Sequence, residues 1–139
     1  MRPVPTRPSA DVGLVFIGGA AGTLSRYGLT LLTHDWSGVP VITCGINASG
    51  ALLLGLLLEV LALGGPDRGR RRLLRLLLGT GFLGGFTTYS ALAVDADVLI
   101  RDGRVLAASA YALGTLALGL VGAATGMLLA RRLHATRSP

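Results

Sequence analysis

Charge is what this sequence has least of: 14% of its 139 residues are charged, where a soluble domain carries roughly a quarter. With 51% of residues hydrophobic, that deficit excludes an ordinary water-facing surface and makes the bilayer the expected solvent. Cysteine is down to Cys44, which lies in an apolar run with no partner, so neither a disulfide nor a cysteine metal site is available. The two histidines, His34 and His134, fall in a loop and a tail. No nucleophile–base pair or histidine–carboxylate cluster accompanies them, which argues against an enzyme. Carboxylates at membrane depth are nearly missing too. Glu59 lies toward one end of its apolar run, where snorkelling to the interface accounts for it, and Asp95 and Asp97 lie near the far end of another. A charge at mid-membrane is costly and usually marks function; without an obvious one, a small multidrug-type proton-coupled antiporter is the weaker alternative. No A-x-A-like cleavage site follows the first apolar segment, so it is expected to stay as a helix.

Lysine is also missing, so all 13 basic residues are arginine, for a net charge of +6. They gather at segment ends and mark no face of a folded domain, which fits topology signals and not a nucleic-acid patch. A span needs about 20 apolar residues at 1.5 Å each. Four stretches qualify: 12–33, 41–63, roughly 73–100 and roughly 105–130. The first ends at HDWSGVP, where Gly38 and Pro40 punctuate and Trp36 suits the interface. The second stops at Gly64, Gly65 and Pro66. Residues 1–11 are expected to be disordered and 131–139 to form a basic tail. The expected fold is an all-α membrane protein, one bundle of four transmembrane helices. Four spans return both termini to one side. That side collects Arg2, Arg7, Arg68, Arg70, Arg71, Arg72, Arg75, Arg131, Arg132 and Arg137, against Arg101 and Arg104 opposite. The bias predicts a multi-pass protein of the cell membrane with both termini in the cytoplasm.

Glycine is abundant, at 21 residues. Gly18-x-x-x-Gly22, Gly81-x-x-x-Gly85 and Gly122-x-x-x-Gly126 have the spacing that lets helix backbones touch. The third span is the odd one: LLGTGFLGGFTTYSAL carries four glycines and then Thr87, Thr88, Tyr89 and Ser90. Unwinding there would free backbone carbonyls, which is tolerated at membrane depth only inside protein or against water. Freed carbonyls are hard donors suited to an alkali or alkaline-earth cation. The other deep polar groups are neutral: Thr43 and Asn47 in the second span, Tyr111 and Thr115, four apart on one helix face, in the fourth. Singly, each serves equally well as glue between helices. Together they can line a track whose N–H and O–H donors replace the hydration shell of a small anion without holding it too tightly. An aromatic ring edge adds a further electropositive surface. Arg26, inside the first span, either snorkels outward or faces a water-filled vestibule that attracts anions.

These residues resemble a known family. Gly81-Phe82-Leu83-Gly84-Gly85-Phe86-Thr87-Thr88-Tyr89-Ser90 is similar to the G-F-x-G-G-x-T-T-F-S signature of the Fluc (CrcB-type) fluoride channels. Asn47 and Gly50 resemble that family's N-x-x-G, Gly19-x-x-Gly22-x-x-x-Arg26-Tyr27 its G-x-x-G-x-x-x-R-Y, and Tyr111-x-x-x-Thr115 its Y-x-x-x-S. The resemblance implies an antiparallel dimer with a broken third helix in each subunit, passing fluoride passively and excluding chloride. Its role would be release of fluoride that entered the cell as HF and ionised there. Asn47, Thr88, Tyr89, Ser90, Leu92, Tyr111 and Thr115 would line the pore, and Arg26 would serve the vestibule. The carbonyls of Gly84 and Thr87 would bind a structural sodium ion that is not transported. Two departures stand out. The family's pair of pore phenylalanines is here Tyr89 and Leu92, and the arginines are too lopsided for a chain that inserts both ways round. Both fit one hypothesis: the chain is half of a heterodimer whose partner, a related subunit of opposite orientation, supplies the missing ring. A homodimer and a non-conducting partner subunit are the alternatives.

Overall fold

The computed structural model describes residues 8–32 and 40–136. The readings placed on Arg2, Arg7, His34, Trp36, Gly38 and Arg137 lie outside them. Among the described residues the chain is all helix, with no strand. α1 (Pro8–Leu32), α2 (Val41–Leu63) and α6 (Val105–Ala135) are continuous. The third passage is assembled from α3 (Arg70–Leu74), a π-helical stretch (Arg75–Leu83), α4 (Gly84–Phe86) and α5 (Tyr89–Arg101).

Three helical segments are long and apolar enough to cross a membrane: Val41–Leu63, Arg70–Arg101 and Val105–Ala135. α1 has the length, at 25 residues, but is not one of them. Asp11, Arg26 and its run of small and hydroxylated residues dilute it. The helices also run past the expected ends. α1 begins at Pro8 and not at residue 12; a proline at the first helical position has no N–H to leave unpaired, and Asp11 in the first turn suits the positive end of the helix. α6 continues through Arg131 and Arg132 to Ala135.

Elsewhere the ends follow local chemistry. α2 stops at Gly64 and Gly65, the latter at φ 113°, ahead of Pro66. α5 stops at Gly103, φ 74°, where the Gly103 N–H bonds the Ile100 carbonyl and the Arg104 N–H the Leu99 carbonyl. That pair of bonds is a Schellman closure, which satisfies carbonyls the helix end would orphan.

The helices pack in two close pairs. α2 lies mainly on α6, and α1 lies on the π-helical stretch and α4. Glycine permits both contacts. A Cβ on Gly22 would collide with the Phe82 carbonyl, and one on Gly126 with the Leu52 carbonyl. The glycine pairs seen in the sequence thus occupy contact seams, Gly18 and Gly22 against the π stretch and Gly122 and Gly126 against α2. α5 closes onto α6 through a small buried cluster of Leu92, Leu99, Ala108 and Tyr111.

Ion pairs tie one end of the bundle. Arg72 bonds Asp11 at 2.6 Å, Arg75 bonds Asp67 at 2.7 Å, and Arg131 bonds Glu59 at 2.7 Å. The start of α1, the α2–α3 linker and the end of α6 therefore share that end. Glu59 is held against Arg131 and does not reach for the interface alone.

Substituting Gly126→Leu forces a side chain into the Leu52 backbone, and overpacking of this kind costs about 1–3 kcal/mol. We expect a lower thermal midpoint in detergent for Gly126→Leu and no change for Gly114→Ala, where an added Cβ meets nothing within 4 Å. Equal midpoints for the two variants would show that α2 and α6 do not meet here.

Candidate functional site

Between α4 and α5 two residues leave the helix: Thr87 (φ −75°, ψ 158°) and Thr88 (φ −149°, ψ 123°) are extended. Each peptide group there must find a new partner, because at membrane depth an unpaired one costs several kcal/mol. Asn47 supplies both partners for Thr88. Its Oδ1 accepts the Thr88 N–H at 2.7 Å, and its Nδ2 donates to the Thr88 carbonyl at 2.9 Å. This pairing also fixes which way the amide points, since the reverse would set donor against donor. Asn47 has one N–H left over. One turn along α2, Gly50 leaves room for the Thr87 methyl, which a Cβ would strike.

The same arrangement releases two carbonyls. In an unbroken helix the Thr88 N–H would bond the Gly84 carbonyl, and the Ala91 N–H would bond that of Thr87. Here the first goes to Asn47, and the second goes to the Thr88 hydroxyl at 3.2 Å, where Thr88 acts as the N-cap of α5. Gly84 is exposed and Thr87 half-buried, so two carbonyls three residues apart, near the chain's surface, have lost their helical donors. The Gly85 carbonyl next to them is occupied: Arg26 Nε donates to it at 3.3 Å and the Thr23 hydroxyl at 3.4 Å. Arg26 thus spends a guanidinium N–H on the chain's own backbone, at the negative end of the preceding helix.

A cavity of about 370 Å³ opens beside this interruption. Asn47, Thr87, Thr88, Tyr89, Leu92 and Thr115 line it, and Ala51, Leu54, Leu116, Gly119 and Leu120 complete its apolar wall. Five of the seven residues expected to line a pore therefore meet here. Ser90 and Tyr111 do not line the cavity. The Ser90 hydroxyl is 3.2 Å from that of Thr88, so it communicates with the site through one hydrogen bond.

Most of the hydroxyls already have acceptors. Thr115 donates to the Tyr111 carbonyl at 2.8 Å and Thr87 to the Leu83 carbonyl at 2.9 Å. Tyr111 donates to Asp95 at 2.9 Å. To serve any ligand in the cavity these hydroxyls must turn away from their internal acceptors, whereas Asn47 keeps one N–H spare. Tyr89 is 80% exposed; its ring projects from the chain and is not sealed by it. Leu92, by contrast, is 6% exposed and wedged against Leu99, Ala108 and Tyr111.

Sequence reasoning placed Asp95 only near a span end and missed its bond to Tyr111. The two residues are equally distant along the chain from Gly103, the tip of the α5–α6 hairpin, so register about that turn was the available signal. The clamp of Asn47 on Thr88 left no such signal, because it joins residues 41 apart on different passages.

A family profile described as "CrcB-like protein, Camphor Resistance (CrcB)" matches residues 13–127. Among individual relatives, "Fluoride-specific ion channel FluC 2" of Leifsonia xyli subsp. xyli is 52% identical over 116 residues, covering 84% of this chain and 80% of its own. "Fluoride-specific ion channel FluC 1" of Cutibacterium acnes is 51% identical over 112 residues, covering 78% and 76%. "Fluoride-specific ion channel FluC" of Paracoccus denitrificans is 40% identical over 122 residues, covering 87% and 94%.

Replacing Asn47 by alanine leaves the Thr88 N–H and carbonyl unpaired, at a cost of about 1–3 kcal/mol for each. We expect Asn47→Ala to lower stability in detergent and to speed amide hydrogen exchange at Thr88, while Ser49→Ala, which removes only a bond to the Ile46 carbonyl on the same helix, does neither. Unchanged exchange at Thr88 in Asn47→Ala would remove the clamp from this account.

Proposed function

This chain belongs to the CrcB-like family, a family of ion channels and not of enzymes, and from that premise we propose that it is a fluoride-selective channel. It lets fluoride leave the cytoplasm passively and so lowers the toxicity of fluoride that entered as HF. The observation that carries this reading is the meeting of Asn47, Thr88, Tyr89, Leu92 and Thr115 around one cavity, in a chain about half identical to relatives named fluoride-specific channels. The lining suits a small, strongly hydrated anion. Its side chains are neutral, so binding is strong enough for entry and weak enough for exit. None of the relatives named above is an antiporter, and that alternative gains no support.

The pathway is completed by a second subunit. Tyr89 stands 80% exposed at the mouth of the cavity, and α1 presents Phe16, Leu24 and Leu32, each at least 69% exposed. In an antiparallel pair each Tyr89 ring would face the other chain's cavity. The interruption at Thr87 and Thr88 is the third-helix break of this reading, and the carbonyls of Gly84 and Thr87, deprived of their helical donors, fit the donor set of a hard monovalent cation. Those two residues would hold a structural sodium ion, which supplies a fixed positive charge at the break and is not transported. Arg26, pinned at the end of α4, sets a positive charge beside the same region and serves the vestibule.

The second subunit is identical or a related chain, and two features favour the related one. Leu92 presents no ring edge. The arginines gather at the end of the bundle that carries the ion pairs, which favours insertion with both termini in the cytoplasm. The partner would then insert the opposite way round and bring the missing aromatic.

The test is fluoride efflux from liposomes loaded with fluoride or chloride, with sodium present, for the purified chain alone and for the chain reconstituted with a related subunit of opposite charge bias. We expect selective fluoride release, strong with the partner and weak without it. Equal release of chloride, or no release in either preparation of folded protein, would overturn the channel reading. Robust fluoride release by the chain alone would keep the channel and discard the heterodimer.

A further inference from the structure

At the end of the bundle that carries the ion pairs, the α2–α3 turn encloses a second cavity, of about 170 Å³. Leu58, Leu61 and Ala62 of α2 line it together with Gly65, Asp67, Arg71 and Arg75. The turn is built for this. Gly65 sits at φ 113°, a conformation a side chain rarely adopts, and the Arg71 guanidinium lies over the place a Cβ would occupy, its Nη1 3.0 Å away. Arg71 is half-buried, yet no carboxylate among the described residues pairs with it, whereas Asp11, Asp67 and Glu59 are committed to Arg72, Arg75 and Arg131. The hydrogen bond from Arg75 holds the Asp67 carboxyl below the usual carboxylate range, so Asp67 stays charged at neutral pH and offsets Arg75. The groove is left with one net positive charge, supplied by Arg71, and Arg68 on the linker and Arg70 at the start of α3 stand exposed.

We propose that this groove is a binding site for the headgroup of an anionic membrane phospholipid, its phosphate on Arg71 and its acyl chain along Leu58 and Leu61. Placement and chemistry agree. The groove spans the last turns of a membrane-crossing helix and the turn that follows it, the depth of the headgroup layer. Leu58 is 42% exposed on the face an acyl chain would follow. A guanidinium held against a glycine offers its planar fork of N–H donors to a phosphate with little entropy left to lose. Basic pockets between membrane helices recognise acidic lipids in this way. This site is separate from the ion pathway and does not depend on what passes through it.

Native mass spectrometry of the full chain in nonionic detergent tests the assignment, with phosphatidylglycerol, phosphatidylcholine or inorganic phosphate added. We expect phosphatidylglycerol to be retained over phosphatidylcholine. Arg71→Gln should reduce its occupancy about fivefold, the share of one arginine near a membrane anion. Asp67→Asn should raise occupancy by freeing Arg75, a gain that misfolding cannot mimic. Arg132→Gln, at the same end of the bundle but outside the groove, should change little. Equal losses in Arg71→Gln and Arg132→Gln would show diffuse attraction and overturn the site, as would equal retention of the two lipids. Displacement of phosphatidylglycerol by millimolar inorganic phosphate would also overturn it, by showing a site for solution anions.

Discussion

A peptide group taken out of its helix inside a membrane must be paired again by protein, and this structure depends on how that is done at Thr88. The side-chain amide of Asn47 gives one acceptor and one donor to the two halves of the Thr88 backbone, as a neighbouring strand would. With that clamp in place, two extended residues are affordable in the middle of an apolar passage. Without it, the Thr88 N–H and carbonyl would be left unpaired at membrane depth.

The consequences spread from that point. Diverting the Thr88 N–H to Asn47 and the Ala91 N–H to the Thr88 hydroxyl takes the helical donors from the Gly84 and Thr87 carbonyls. Restarting the helix at Tyr89 turns the aromatic ring away from the chain's own core and leaves it 80% exposed, while Leu92, one turn on, is driven inward against Tyr111. Beside the bend, α1 lies close enough for Arg26 and Thr23 to reach the Gly85 carbonyl. That approach rests on Gly22, where a side chain would strike the Phe82 carbonyl. Close packing and polar satisfaction are thus one requirement: small residues bring the helices near enough for a few side chains to complete the backbone.

The two ends of the bundle are built differently. One end is held by three ion pairs that join the start of α1, the α2–α3 linker and the end of α6. At the other, Arg101 bonds Asp97 one turn away, and the α5–α6 hairpin is closed by backbone hydrogen bonds at Gly103. Exposed single ion pairs contribute little to stability in water, so the asymmetry matters more for where the chain sits in a charged membrane than for how tightly it folds. A surplus of arginine beyond what the carboxylates neutralise leaves Arg71 without a carboxylate among the described residues.

The sequence by itself determined the class of solvent, the number of long helical passages and the stretch where chemistry concentrates. Scarcity of charge, runs of about 20 apolar residues and a glycine–hydroxyl cluster are local properties, and they survive any folding of the chain. Four ordered motifs also carried the family. Only the tertiary structure decided what each polar group does. Whether Arg26 reaches water or Gly85, and whether Asn47 holds the backbone, depend on which passages lie side by side. Sequence spacing describes one helix face at a time and is silent on its neighbour. Asn47 and Thr88 are 41 residues apart, and Glu59 and Arg131 are 72 apart. Such pairings are chosen by the requirement that every polar group in lipid find a partner, and that requirement is met only by the whole bundle.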